Sequence, residues 1–228
     1  MPKTGSRKLE LSARVEDYVK AIYELESRGG VVSTNALAER VGVRAPTVTA
    51  MLKHLASLGL VVYERYHGVR LTKSGRKVAL EVLRHHRLLE LYLAESLGMG
   101  WDEVHAEAER LEHVLSEELE EVIAAKLGNP TLDPHGDPIP TRELKLPAAE
   151  SQSLYALEAG TQARFTRVSD SDPEMLRFLS ARGIVPGAHL EVIDKQPFEG
   201  PLFVRVGDEV HVLGAQLARA MRVQVESG

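Results

Sequence analysis

Cysteine is absent from this 228-residue chain, which excludes a disulfide framework, a thiolate metal site and a cysteine nucleophile. No apolar run approaches the ~18 residues that a membrane-spanning helix needs. The first twelve residues, MPKTGSRKLELS, are basic and polar with no apolar core, so they do not read as a secretory signal. A cytoplasmic protein with no membrane partner is the expectation. Motifs of catalysis are missing too: there is no G-x-S-x-G, no glycine-rich phosphate loop and no H-E-x-x-H. The chain is therefore expected not to be an enzyme.

What is present is an ordinary globular composition, 43% hydrophobic and 27% charged, long enough for one large domain or two to three small ones. The net charge of −5 hides an asymmetry. Residues 1–77 carry 14 Lys/Arg against 7 Asp/Glu, whereas the remaining 151 residues carry 14 against 26. A basic head on an acidic body points to a head that meets a polyanion.

Apolar residues at Val15, Tyr18, Val19, Ile22 and Tyr23 keep a helical period. RGGVVS then breaks the helix and supplies Ser33 as an N-cap. TNALAERVGV reads as a short helix closed by Gly42, and RAPTVTAMLKHLASLGL as a longer one with Pro46 in its first turn. LVVYERYHGVRLT reads as two strands turning at His67–Gly68. Three helices followed by a hairpin is the order of a winged helix-turn-helix. Its reading helix would offer Arg44, Pro46, Thr47 and Thr49 to base edges and phosphates, with Lys53 one turn on. Thr34 suits a phosphate contact, and Arg65, with His67 and Arg70, lies on or beside the wing. Ala50 offers no hydrogen bond, so shape and apolar contacts gain weight.

A long helix is expected from near Ser74, and a second from near Asp102 to Gly128. NPTLDPHGDPIPTRELKLPAAES follows as a proline-rich loop. From about Leu154 the pattern changes to five alternating runs, QARFTRV, HLEVIDKQ, LFVRVG, EVHVLG and MRVQVE, with one helix in PEMLRFLSARGI. That is a small β-barrel of roughly 70 residues. The division expected is 1–77 for the winged helix-turn-helix, 78–145 for a helical metal-binding and dimerisation domain, and 146–228 for the barrel.

In HAEAERLEH, residues His105, Glu109, Glu112 and His113 share about a third of a helix circumference. His86 and Glu90 are four apart on the preceding helix, and His105 would complete a three-ligand set if the two helices pack antiparallel. Glu109, Glu112 and His113, with Asp17 from the first helix, would form a second set. Donors of nitrogen and oxygen without sulfur suit manganese, iron(II), cobalt or zinc. Spacing alone leaves a solvated acidic face open as the bland reading. It also leaves open a metal-dependent hydrolase with a winged-helix appendage, or a metal-buffering or partner-binding module.

The stretches EDYVKAIYEL, ALAERVGVRAPTVTAMLKHLASLGLV, RLTKSGRK, HHRLLELYL, VHAEAERLEH and DPHGDPIP resemble the diphtheria-toxin-repressor family of metal-activated transcriptional regulators, over nearly the whole chain. The resemblance implies a winged helix-turn-helix, a helical dimerisation domain and a C-terminal Src-homology-type barrel. It implies a homodimer that binds palindromic double-stranded DNA operators when manganese(II) or iron(II) is bound. Cobalt, nickel, zinc or cadmium would act as surrogate ions. By it, His86, Glu90 and His105 match the ancillary site, which a barrel residue completes, with Asp170 best placed and Asp172 second. Asp17, Glu109, Glu112 and His113 match the primary, activating site. Iron-type members carry methionine and cysteine at the places of Asp17 and Glu109, so two acids there point to the manganese-type branch. Members with a binuclear centre add an acid three residues after the aspartate, where this chain has Lys20. Some barrel-containing manganese repressors place a cysteine and a histidine of the loop on the metal, and Asp133 and His135 occupy those places here.

Overall fold

A computed structural model of the chain describes residues 11–27, 29, 31–64, 67–147, 151–169 and 172–226. It divides into two compact units, residues 1–83 and 84–228.

The first unit begins with α1 (Ala13–Ser27), whose apolar stripe buries Val15, Val19 and Ile22. Ser33 caps α2 (Thr34–Arg40), its hydroxyl accepting the Ala36 N–H at 3.1 Å. Gly42 adopts φ +67°, and α3 (Ala45–Ser57) follows with Pro46 in its first turn and Val48, Leu52 and Leu55 fully buried. Strands β1 (Val61–Glu64) and β2 (Gly68–Leu71) pair antiparallel from Val61↔Leu71 to Glu64↔Gly68. The Glu26 carboxylate ties this hairpin to α1 by accepting the Leu71 N–H at 2.8 Å, and it also pairs with Arg76 at 2.9 Å. Three helices and a two-stranded wing make the winged helix-turn-helix that the sequence order implies.

The long helix α4 (Lys73–Leu97) runs through the division between the units. From residue 78 to 94 it has no exposed side chain, the pattern of a helix enclosed by other elements, and it emerges at Glu95, Ser96 and Leu97. Leu88, Leu89 and Leu91 pack in one cluster with Ala108, Ile123, Ala124 and Ile139.

The single helix expected from Asp102 to Gly128 is in fact two, α5 (Val104–Leu111) and α6 (Glu117–Lys126). Ser116 causes the restart: it is extended, and its hydroxyl accepts the Leu119 N–H at 3.2 Å. The break leaves Glu112 as the C-cap of α5 with His113 in the turn after it.

In the remainder of the second unit, a six-stranded antiparallel sheet has the order β3-β8-β4-β5-β6-β7. Its strands are β3 (Gln152–Ser153), β4 (Gln162–Arg167), β5 (His189–Lys195), β6 (Leu202–Val206), β7 (Glu209–Leu213) and β8 (Arg222–Val225). All five alternating runs of the sequence are strands, and alternate residues such as Ala163 and Phe165, Leu190 and Val192, and Leu202 and Val204 enter one core. Two short helices, α7 (Pro173–Ser180) and α8 (Ala215–Ala220), complete it, one more than the sequence suggested. No β3–β7 pairing closes the sheet among the described residues, so the barrel is an open one.

Candidate metal centre and nucleic-acid interface

At the start of α3, Arg44 is the N-cap residue, yet its side chain makes no cap bond, which leaves the guanidinium outside the helix's own accounting. Arg44, Pro46, Thr47 and Lys53 are exposed, and Thr34 is half-buried at the start of α2. The Thr49 hydroxyl donates to the Ala45 carbonyl at 3.1 Å, so its proton is already used within α3. Arg65 lies outside the described residues.

The consecutive residues Arg84, His85, His86 and Arg87 of α4 all reach partners beyond their own helix. Arg84 donates to Glu120 at 2.6 Å and to the Pro140 carbonyl at 2.7 Å. His85 faces the Glu112 carbonyl through Nδ1 at 3.1 Å and Glu120 through Nε2 at 2.9 Å. His86 stands between two carboxylates: Nδ1 is 2.5 Å from Glu112 Oε2, and Nε2 is 2.9 Å from Glu90 Oε1. His105 from α5 completes this group, its Nδ1 lying 3.0 Å from His86 Nε2 and 3.1 Å from Glu90 Oε1. His86, Glu90 and His105 thus each offer a donor atom within 4.8 Å of the other two. Glu90 is fully buried. Burial alone would raise its pKa, but the surrounding imidazoles His86, His105 and His135 hold it well below the usual carboxylate value.

Glu112 is also buried, and its Oε1 lies 3.5 Å from His113 Nε2. Glu109 is exposed and reaches back one turn to His105, with 3.6 Å between Oε1 and Nε2. Asp17 is exposed on α1.

The loop after α6 closes on the same region. A bridge between Leu132 and Pro138 folds DPHGDP into a tight turn, in which Asp133 Oδ1 accepts the N–H groups of His135 and Asp137, both at 2.9 Å. His135 is fully buried, stacks on Trp101 and donates from Nε2 to the Trp101 carbonyl at 2.6 Å. The turn lies against β4: the Val168 N–H donates to the His135 carbonyl at 3.1 Å, and Arg167 pairs with Asp137 at 3.0 Å. Gly136 has φ +85°, and a Cβ there would sit 1.8 Å from the Thr166 carbonyl oxygen, so only glycine fits.

Glu90, Asp133 and His135 form a second, wholly buried trio of donors within 4.8 Å of one another. Burial, with the charges of Glu90 and Asp137, pushes Asp133 up to about 8. Burial lowers the His135 pKa, but the Glu90 and Asp133 carboxylates and the Trp101 carbonyl raise it to about 9. A pocket that buries this much carboxylate demands a compensating cation, either a proton or a metal ion. Imidazole and carboxylate donors without sulfur fit a hard or borderline divalent ion.

Three family models match successive stretches: an iron-dependent repressor N-terminal DNA-binding domain over residues 10–69, an iron-dependent repressor metal-binding and dimerisation domain over 72–141, and a FeoA domain over 152–225. The iron-dependent repressor IdeR of Mycobacterium tuberculosis is 34% identical over 227 residues, spanning 94% of this chain and 98% of that protein. The chain belongs to the diphtheria-toxin-repressor family. The diphtheria toxin repressor of Corynebacterium efficiens is 30% identical over 235 residues, 96% of this chain and 98% of that one. Among solved structures, a manganese-dependent transcriptional repressor in complex with manganese aligns at a TM-score of 0.87 and 41% identity, over 93% of this chain and 100% of that one. ScaR with bound Zn2+ aligns at 0.78 and 28%, over 92% and 98%. As a member of the diphtheria-toxin-repressor family, this chain is a metal-dependent, DNA-binding transcriptional repressor with a dimerisation domain.

Within this repressor's second unit, the expected residues His86, Glu90 and His105 come together, as do Glu112 and His113, and Glu90 gathers Asp133 and His135. Glu109 stands apart from Glu112 and His113 and faces His105. Asp172 is used by its own helix, with Oδ1 accepting the Glu174 and Met175 N–H groups, each at 3.1 Å. Asp170 lies outside the described residues. Sequence reasoning missed Arg87, which faces Asp133 at 3.5 Å and Asp137 at 3.4 Å, and it missed Trp101. Arg87 follows His86 directly, a position that could have drawn notice; nothing in the local pattern marks Trp101.

Proposed function

We propose that this repressor responds to manganese(II), with iron(II) also effective and cobalt, nickel, zinc or cadmium as surrogates. The observation that carries the reading is the donor set: histidine and carboxylate around Glu112, His113 and Glu90, with no cysteine anywhere in the chain. A relative of 41% identity that holds manganese supports it. By resemblance, Asp17, Glu109, Glu112 and His113 hold the activating ion. His86, Glu90 and His105 hold an ancillary one, with Asp133, His135 and Asp170 as further ligands.

The working division is residues 1–77 for reading DNA, 78–145 for metal and dimerisation, and 146–228 for the barrel. The protein acts in the cytoplasm on palindromic operators, two α3 helices of a homodimer reading two half-sites. Four apolar residues of α5, α6 and the turn between them, Leu111, Val114, Leu119 and Val122, are 38–77% exposed and suit a second copy. Metal that orders this dimer raises DNA affinity, and DNA raises metal affinity by the same factor. For a coupling of about 1–3 kcal/mol the factor is roughly 5–150-fold.

The experiment is an anaerobic comparison of manganese(II) and iron(II) as activators of DNA binding, in the unaltered chain and in an Asp17→Met/Glu109→Cys variant. The softer donors are expected to shift the preference from manganese towards iron(II). An unchanged preference would remove Asp17 and Glu109 from the activating site.

A further inference from the structure

We propose that His85 and Glu120 are positioning residues for the activating ion, holding from α4 and α6 the turn that carries Glu112 and His113. This rests on the metal-activated reading above and deepens it. Glu112 is gripped at both ends by neighbouring histidines of α4. His86 Nδ1 lies 2.5 Å from its carboxylate, and His85 Nδ1 donates to its main-chain carbonyl at 3.1 Å. That carbonyl needs an outside donor. In a continuous helix the N–H of residue 116 would take it, but Ser116 is extended and starts α6 instead. A bond to the carboxylate alone does not fix the main chain beneath it. The second bond does, and so sets the direction from which Glu112 presents its oxygens.

Glu120 gives His85 its own support. Its Oε2 lies 2.9 Å from His85 Nε2, and its Oε1 accepts from Arg84 Nε at 2.6 Å. Arg84 is held in turn by the Pro140 carbonyl at 2.7 Å. His85, Glu112 and Glu120 are all buried, where such contacts are stronger than in water. Burial alone would raise the Glu120 pKa, but His85 and Arg84 together hold it below the usual carboxylate value. Three consecutive residues of one unbroken helix, Arg84, His85 and His86, thus tie α6 and the end of α5 to α4. His85 is the member that reaches both. The outer side of α6 carries Leu119 and Val122, exposed at the surface suited to a second copy. Affinity for the ion and the place of that surface are therefore set through one ring.

The test is manganese(II) titration of full-length variants followed by electron paramagnetic resonance, the component lost in His113→Ala marking the activating ion. His85→Leu removes both links and should weaken that ion roughly 10–100-fold. His85→Asn places its amide nitrogen where Nδ1 was, so it should restore most of the affinity. Glu120→Gln leaves one acceptor oxygen for two donors and should fall between the two. A merely structural role would not separate leucine from asparagine. Full affinity in His85→Leu, or an equal loss in His85→Asn, would overturn the proposal. Hydrogen exchange of the unaltered chain, diluted below dimer formation, needs no variant to fold. Manganese should slow exchange across α6, which holds none of the proposed ligands, and unchanged exchange there would overturn the link. If the refuting variant still required manganese to hold DNA, the metal-activated reading would stand without this brace. A chain that takes up no manganese would sink both.

Discussion

Replacing His86 should disturb two metal sets at once. His86 is buried, with Nδ1 at 2.5 Å from Glu112 and Nε2 at 2.9 Å from Glu90. When Nε2 is a ligand, Nδ1 carries the proton and donates it to Glu112, so one ring serves as ligand to one set and orienting donor to the other. His86→Ala removes both roles. Loss of an outer partner of a metal ligand costs roughly 10–100-fold in affinity. At 1.4 kcal/mol per tenfold, that is about 1.4–2.8 kcal/mol. His86→Ala is therefore expected to abolish binding at Glu90 and to weaken manganese by that factor at Glu112 and His113. His86→Asn separates the roles, because its amide nitrogen overlays Nδ1 while nothing replaces Nε2. It should lose the Glu90 set and keep the other near its original affinity. Manganese titration followed by paramagnetic resonance of the free ion reads both affinities. Full affinity at Glu112 and His113 in His86→Ala would refute the link.

Further outcomes follow from other parts of the fold. Gly136→Ala forces a Cβ against the Thr166 carbonyl at a left-handed φ, and it should destabilise the chain by roughly 1–3 kcal/mol. The melting midpoint in chelator should then fall by about 2–4 °C per kcal/mol, and an unchanged midpoint would contradict the packing of this turn on β4. Arg44→Ala should lower DNA affinity and reduce the salt slope by about one, with metal content unchanged. An unaltered slope would take Arg44 off the phosphate backbone. Val114→Glu/Val122→Glu, at two exposed apolar positions, should shift sedimentation towards the monomer; an intact dimer would place the interface elsewhere.

Periodic features are legible in the sequence. The i, i+4 spacing of His86 and Glu90 put both side chains on one face of α4, and the alternation in QARFTRV, HLEVIDKQ and LFVRVG gave β4, β5 and β6 their inward residues. Pro46 and Ser33 marked helix starts through the backbone groups they relieve. What escaped was decided by single caps and long-range contacts. Ser116 splits one apparent helix into α5 and α6, a local bond that outweighs a continuous run of helix formers. Glu109 pairs with His105 because both point along the same turn of α5, although its spacing to Glu112 and His113 looked equally good. The DPHG turn carries no period at all. Its place beside Glu90 comes from a stack on Trp101, 34 positions away, and from backbone bonds to β4, neither visible in a local window.

The most direct measurement is capture of fragmented genomic DNA by the full-length protein, with manganese(II) or with a chelator, at one near-physiological salt concentration. Salt must be equal because the basic head would hold any DNA at low ionic strength. The account predicts that a few palindromic fragments are recovered with manganese and lost with chelator. Equal, unselective recovery in both conditions would contradict it, separating the metal-binding residues of the second unit from the reading of DNA by α3.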